Sequence, residues 1–187
     1  MKAQHTVFVK DLPALEKTLC GLKGMACCFC GRRGTLNRHG RIEGNDPQSA
    51  DGRLRRGHRV YCANRGGREG CGRTFPILLA DVLPRHTFSA SLLWSVLEGL
   101  LGRLSIRAAW KSAGKPLALE TSYHLIQRLR GHLAGVRTAL SRLIPPPASA
   151  QRDPLLQTLA HLRAAFPADP CPVETFQQRL QRPLLTG

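Results

Sequence analysis

The chain has 187 residues, 42% of them hydrophobic and 5% aromatic, with a formal net charge of +16. That length holds one ordinary domain or two small ones, and the charge points to a polyanionic partner, because a basic surface concentrates phosphate by long-range attraction. No run approaches the ~18 apolar residues of a membrane span, and the start, MKAQHTVFVKDLPALEKTL, lacks the apolar centre of a secretory signal, so the expectation is a cytoplasmic protein with reduced thiols and no membrane contact.

Residues 1–24 read as a short leader: HTVFVKD alternates weakly as a strand, and PALEKTLCGLKG suits a short helix ended by glycine. Residues 25–80 are rich in Gly, Arg and Cys. They hold Cys27-x2-Cys30-Gly31 and, later, Cys62-x8-Cys71-Gly72. A disulfide, a catalytic thiol or a metal knuckle could each explain such cysteines. Seven cysteines is an odd number for a disulfide framework, and no His and acid stand in a convincing order for a catalytic thiol. Four soft ligands in a tetrahedron are what zinc takes. The spacing therefore predicts a Zn2+ site of Cys27, Cys30, Cys62 and Cys71, with ANRGGREG folding outward to return Cys71. Cys28 points away, His39 and His58 are reserve ligands, and Cys20 and Cys171 are isolated thiols. TLNRHGRI and HRVYC read as strands between the knuckles.

Between residues 31 and 73 lie eleven arginines, Arg32, Arg33, Arg38, Arg41, Arg53, Arg55, Arg56, Arg59, Arg65, Arg68 and Arg73, against four acids, a net of +7. Codon bias would also raise the arginine content, and a solvated surface is the bland reading. Their clustering beside the cysteines predicts a face that grips phosphate, with Arg53–Arg59 and Arg65–Arg68 as loop fingers.

CFCGRRGTLNRHGRI followed by RVYCANRGGREGCGRTF resembles the zinc ribbon that opens many bacterial insertion-sequence transposases and their small accessory proteins. In that pattern a Cys-x2-Cys-Gly knuckle leads into a strand ending near His-Gly, and a Tyr-Cys strand leads into Cys-Gly-Arg-Thr-Phe. The family's second knuckle is commonly Cys-x2-Cys, so the gap between Cys62 and Cys71 is a departure. The resemblance covers residues 25–80 and, by the order of parts, extends toward residue 144. It implies DNA binding, a nucleoid location in a bacterium, and a transposase or recombinase as partner.

Residues 87–144 are helical in pattern. SASLLWSVLEGLLG carries a broad apolar face, SIRAAWKSAG has Ser105 as cap and Gly114 as stop, and LETSYHLIQRLR follows. Helix, short helix, turn and helix is the order of a helix-turn-helix, which also follows the ribbon in the family named above. Leu119, Tyr123 and Ile126 fall on one side of the last helix. Glu120, Thr121, His124, Gln127 and Arg128 fall on the other, and Thr121, His124, Gln127 and Arg128 are suited to base edges. Leu119, Ile126, Leu133 and Leu140, with Leu129, Val136 and Leu143, form a heptad seam. It predicts either a homodimer contact through Ile126, Leu129, Leu133, Val136, Leu140 and Leu143 or packing on the 155–166 helix of the same chain. Residues 145–187 are a proline-rich linker and two short helices, the first opened by Asp153-Pro154.

An acidic-triad catalytic domain has no room here, since only Asp153, Asp169 and Glu174 lie beyond residue 144. His39, Asn45, His58 and Asn64 supply the residue types of an HNH nuclease but not its order. The expected whole is an α+β chain: a small zinc-ribbon β domain, then a mainly α-helical helix-turn-helix region and C-terminal helices. The expected function is non-catalytic DNA binding for a mobile element, RNA remaining open. The alternative is a protein-interaction adaptor in a nucleoprotein assembly.

Overall fold

The computed structural model describes residues 5–45, 52–67, 69–114, 118–149 and 151–185. It is α+β, with a four-stranded mixed sheet in the first part and most of the helices in the second. The chain divides into two compact units, 1–82 and 83–187.

In the first unit, β1 (Val7–Val9) leads into α1 (Leu12–Cys20) and a 3-10 turn (Leu22–Gly24). Asp11 caps α1 by accepting the Ala14 amide at 2.8 Å, and Pro13 sits in its first turn. Then come β2 (Leu36–Asn45), β3 (Arg53–Cys62) and β4 (Thr74–Leu79), in the order β1-β4-β3-β2. β2 and β3 pair antiparallel, as do β3 and β4, while β1 joins β4 in parallel. Leu36 stands opposite Cys62, Phe75 opposite Val60, and Ile77 opposite His58. Leu15, Leu19 and Leu22 join Leu36, Val60, Phe75 and Ile77 in one buried cluster that also contains Cys27 and Cys62.

Residues 5–24, expected as part of a leader, thus pack with the ribbon. The ribbon has too few aliphatic residues of its own, and β1 and α1 supply a strand and the missing leucines. The segment 53–59, expected as a loop finger, is strand β3.

The second unit is helical: α2 (Ala90–Leu101), α3 (Ile106–Ser112), α4 (Leu119–Leu140), α5 (Pro154–Ala165) and α6 (Pro172–Leu180). Ser89, Ser105 and Asp153 cap α2, α3 and α5 through side-chain oxygens. Leu155, Leu159, Leu162, Phe166, Val173 and Phe176 are buried with the α2 and α4 residues in one core. The C-terminal helices therefore belong to this unit and are not a separate segment. Arg130 on α4 grips Asp153 with two hydrogen bonds, 2.9 and 2.7 Å, and His161 meets the Ile144 carbonyl at 3.0 Å.

The heptad seam lies inside this core. Ile126, Leu129, Leu133, Val136 and Leu140 are buried within the chain, and α4 packs on α5. Of the two expectations for the seam, packing within the chain is the one seen: the seam is covered intramolecularly, and of its residues Leu143, beyond the end of α4, is exposed. Tyr123 is also displaced from its expected apolar side, being 49% exposed. Among the described residues no helix is long and apolar enough to cross a membrane.

Candidate metal centre and its basic surroundings

Two loops bring four sulfurs together. In the first, the Cys27 amide donates to the Arg32 carbonyl at 2.9 Å, and the Gly31 amide donates to the Cys27 carbonyl at 2.8 Å. In the second, the Cys62 amide donates to the Arg73 carbonyl and the Gly72 amide to the Cys62 carbonyl, both at 2.9 Å. Gly31 and Gly72 occupy matching left-handed positions, φ +73° and +71°, which glycine adopts without a Cβ penalty.

The second loop is thus the first with six residues added. Its excess, residues 64–69, is closed at the neck by the Gly70 amide donating to the Ala63 carbonyl at 2.8 Å. A Cβ on Gly70 would collide with that carbonyl and lie 2.7 Å from the Cys62 sulfur. The long gap between Cys62 and Cys71 is therefore a two-residue knuckle carrying an excursion. Glu69 in that excursion pairs with Arg32 beside the first knuckle at 3.0 Å.

The Sγ atoms of Cys27, Cys30, Cys62 and Cys71 all lie within 4.8 Å of one another. Cys27 to Cys71 is 3.8 Å, as is Cys30 to Cys62. A tetrahedron of ~2.3 Å metal–sulfur bonds has edges of ~3.8 Å, so the set fits one metal ion. Hydrogen bonds already point at the sulfurs: the Phe29 amide to Cys27 at 3.4 Å, the Cys71 amide to Cys62 at 3.3 Å, and the Thr35 hydroxyl against Cys62 at 3.2 Å.

These contacts divide the thiols. Burial pushes the Cys27 thiol up to about 11 and raises Cys71 as well. Burial acts the same way on Cys62. There the Thr35 hydroxyl, the Cys71 amide and the neighbouring thiols outweigh it, and the value falls to about 7. These contacts favour the thiolate form of Cys62, and a bound cation would favour thiolate throughout the set.

Cys28 and Cys20 are exposed and outside the cluster, and Cys171 is buried at the start of α6. His39 lies 5.8 Å from the Tyr61 ring. His58 is buried on β3, away from the sulfurs, and neither histidine joins the set. Thr35 was not legible as a supporting residue, because nothing in its neighbours marks it.

Arg32, Arg33, Arg38, Arg41, Arg53, Arg59, Arg65 and Arg73 are exposed. Arg41, Arg53 and Arg59 line a groove of about 400 Å³ with His39, Gly40, Ile42 and Glu43. The Arg73 guanidinium sits 5.1 Å over the Phe29 ring, and Arg33 donates to the Gly24 carbonyl at 2.7 Å. Two arginines depart from the expected open face. Arg55 is half-buried and holds Glu16 of α1. Arg56 is half-buried across Gly44, and burial lowers its pKa. Arg68 lies outside the described residues.

In the second unit, His124, Gln127 and Arg128 are exposed on α4 and Thr121 is half-buried. Thr121, His124 and Arg128 line a cavity of about 370 Å³ together with Leu125 and His86. His86 escaped the sequence reading, since it stands 35 residues before Thr121 and only the fold brings it near.

No known family, curated protein or solved structure matches this chain. What stands is a four-cysteine site able to hold a metal ion, set among exposed arginines.

Proposed function

We propose that this chain is a non-catalytic, zinc-dependent DNA-binding protein of a mobile genetic element, in which the first unit grips backbone phosphates. The observation that carries this reading is the company the four cysteines keep: a sheet too small to dispense with a metal, bearing exposed Arg32, Arg38, Arg41, Arg53, Arg59, Arg65 and Arg73. Four thiolates in a tetrahedron suit zinc. Cys27, Cys30, Cys62 and Cys71 would hold it, and its contribution is to fold the ribbon rather than to do chemistry.

The second unit supplies the base-reading part. α3 and α4 follow α2 in helix-turn-helix order, and His124, Gln127 and Arg128 are open to a groove. Asp153, one of three acids beyond residue 144, caps α5 and pairs with Arg130, which supports a structural rather than a catalytic role. The motifs quoted above support service to a transposase or recombinase, in a bacterial nucleoid.

The test is equilibrium binding of duplex DNA by the zinc-loaded chain across a salt series. Each phosphate neutralised contributes a slope of about −0.9 in log K against log salt. A steep negative slope is expected for duplex carrying the element's ends and for random duplex, with tighter binding to the ends. A flat response would overturn the reading. Tighter binding to RNA than to either duplex would move it to RNA.

A further inference from the structure

Next to α1, three buried polar atoms have no hydrogen-bond partner among the described residues: Arg55 Nε and both ring nitrogens of His58. His58 is 7% exposed. A buried donor without an acceptor bears the full cost of its desolvation, so such atoms mark a place where an acceptor belongs.

The surroundings state which acceptor. His58 stands opposite Arg41 on β2, and Arg38 stands opposite Val60 on the same strand pair. α1 lays Glu16 over them: Arg55 hydrogen-bonds its carboxylate, and Arg38 approaches it to 3.9 Å. Two guanidinium groups, those of Arg55 and Arg38, and the nearby His58 imidazole thus gather about one carboxylate. Glu16 is held below the usual carboxylate range by the Arg55 hydrogen bond, and His58 is held below its ordinary value by burial and then by Arg55 and Arg38. The imidazole is therefore neutral and offers one N–H. One carboxylate with two oxygens leaves Arg55 Nε and that N–H unsatisfied. A phosphate offers more oxygens and more charge, and guanidinium forks match it.

We propose that Arg38, Arg55 and His58 form a phosphate-binding site whose place is held by the Glu16 carboxylate. The Glu16 side chain is 47% exposed and Arg38 50%, so Glu16 leaves by a rotamer change toward solvent and phosphate enters from the same side. Exchange is a substitution of one anion for another, with no bond made or broken. The site goes beyond the DNA-binding reading and rests on it only for one of two sources of the phosphate, a nucleic-acid backbone or free phosphate.

The experiment follows the His58 imidazole proton resonances of the zinc-loaded full chain. Inorganic phosphate is titrated against chloride at equal ionic strength. Phosphate-specific, saturable shifts are expected, reached at severalfold lower phosphate in Glu16→Gln and lost in Arg55→Gln. Unchanged metal content in each variant shows that the ribbon still folds. Shifts that are the same for phosphate and chloride in both wild type and Glu16→Gln overturn the proposal.

A second arm measures duplex affinity of Glu16→Gln beside Asp169→Asn, an equal change of charge in the other unit. Tighter duplex binding by Glu16→Gln alone supports the site and assigns it to backbone phosphate. Phosphate shifts with equal duplex affinity in the two variants support it as a site for free phosphate. A chain that binds no duplex at all sinks the DNA reading, while the first arm still decides the site.

Discussion

At the scale of single residues, the four ligand cysteines are not equivalent to their neighbours. Cys27 and Cys62 sit inside the apolar cluster, with Cys30 and Cys71 closing the set. Removing one sulfur breaks the closed four-ligand set that a structural site needs and leaves the fourth position to a weaker oxygen ligand. Cys30→Ser and Cys71→Ser are therefore expected to lose the metal and unfold the first unit, while Cys20→Ser and Cys28→Ser do neither. Metal stoichiometry by elemental analysis, with far-ultraviolet circular dichroism, checks this. Gly70 gives a sharper case. Its missing Cβ is what lets the excursion close against Ala63 beside the Cys62 sulfur, so Gly70→Ala should weaken metal binding by well over tenfold in a chelator competition. Gly66→Ala has free space around it and only a left-handed backbone to strain, φ +63°. It should cost about 1 kcal/mol of stability and leave metal affinity alone. Equal losses in the two variants would show that loop strain, not closure at the neck, governs the site.

At the scale of elements, α5 is positioned from its first residue. Asp153 accepts the Leu155 amide at 2.9 Å and takes the Arg130 fork at the same time. The Arg130 hydrogen bond, followed by the Leu155 amide, lowers its pKa below the ordinary 3.8. A lowered carboxylate adds stability that is present above the ordinary value and lost as pH falls through the lowered one. The melting temperature of the second unit should therefore drop further below about pH 3.8 in wild type than in Asp153→Asn. Asparagine keeps the cap and loses the charge, and the part-exposed pair contributes ~0–1 kcal/mol. Asp153→Ala loses both and should cost ~1–2 kcal/mol at neutral pH, most of it the cap. A neutral-pH melt of Asp153→Ala equal to wild type would refute this account.

These same elements show what the residue order reveals. Ser105, Gly114, Asp153-Pro154 and the 155–166 leucine stripe are local signals, and each stands where the chain places it. So do the TLNRHGRI and HRVYC strands and the cysteine set. What failed was long-range. The weak alternation of HTVFVKD marks a strand, but nothing in Val7–Val9 says that it pairs in parallel with Ile77–Leu79. The seam of α4 has the same spacing whether its cover is a second chain or α5, so only the fold decides. The Glu16 carboxylate and the Arg55 guanidinium are 39 residues apart in sequence and meet only because α1 packs beside the sheet.

At the scale of the whole molecule, the two units depend on different forces, and a chelator separates them. The second unit has a broad apolar core running through all five of its helices, with no ligand cysteine in it. The first has a thin cluster in which two of the buried residues, Cys27 and Cys62, belong to the four-cysteine set that could hold a metal ion. Withdrawing the ion leaves thiols there that must either stay protonated or place charge in an apolar setting, and either weakens the unit. Chelation should therefore erase the strand signal and proteolytically release residues 1–82 while the helical signal of residues 83–187 persists. Duplex binding measured on the same sample then locates the DNA contact. If arginines around the metal centre carry it, the salt-dependent affinity should fall by more than tenfold on chelation and return with zinc. Binding that survives chelation unchanged would transfer the function to the α4 face of His124, Gln127 and Arg128, and would leave the metal centre with a role in folding alone.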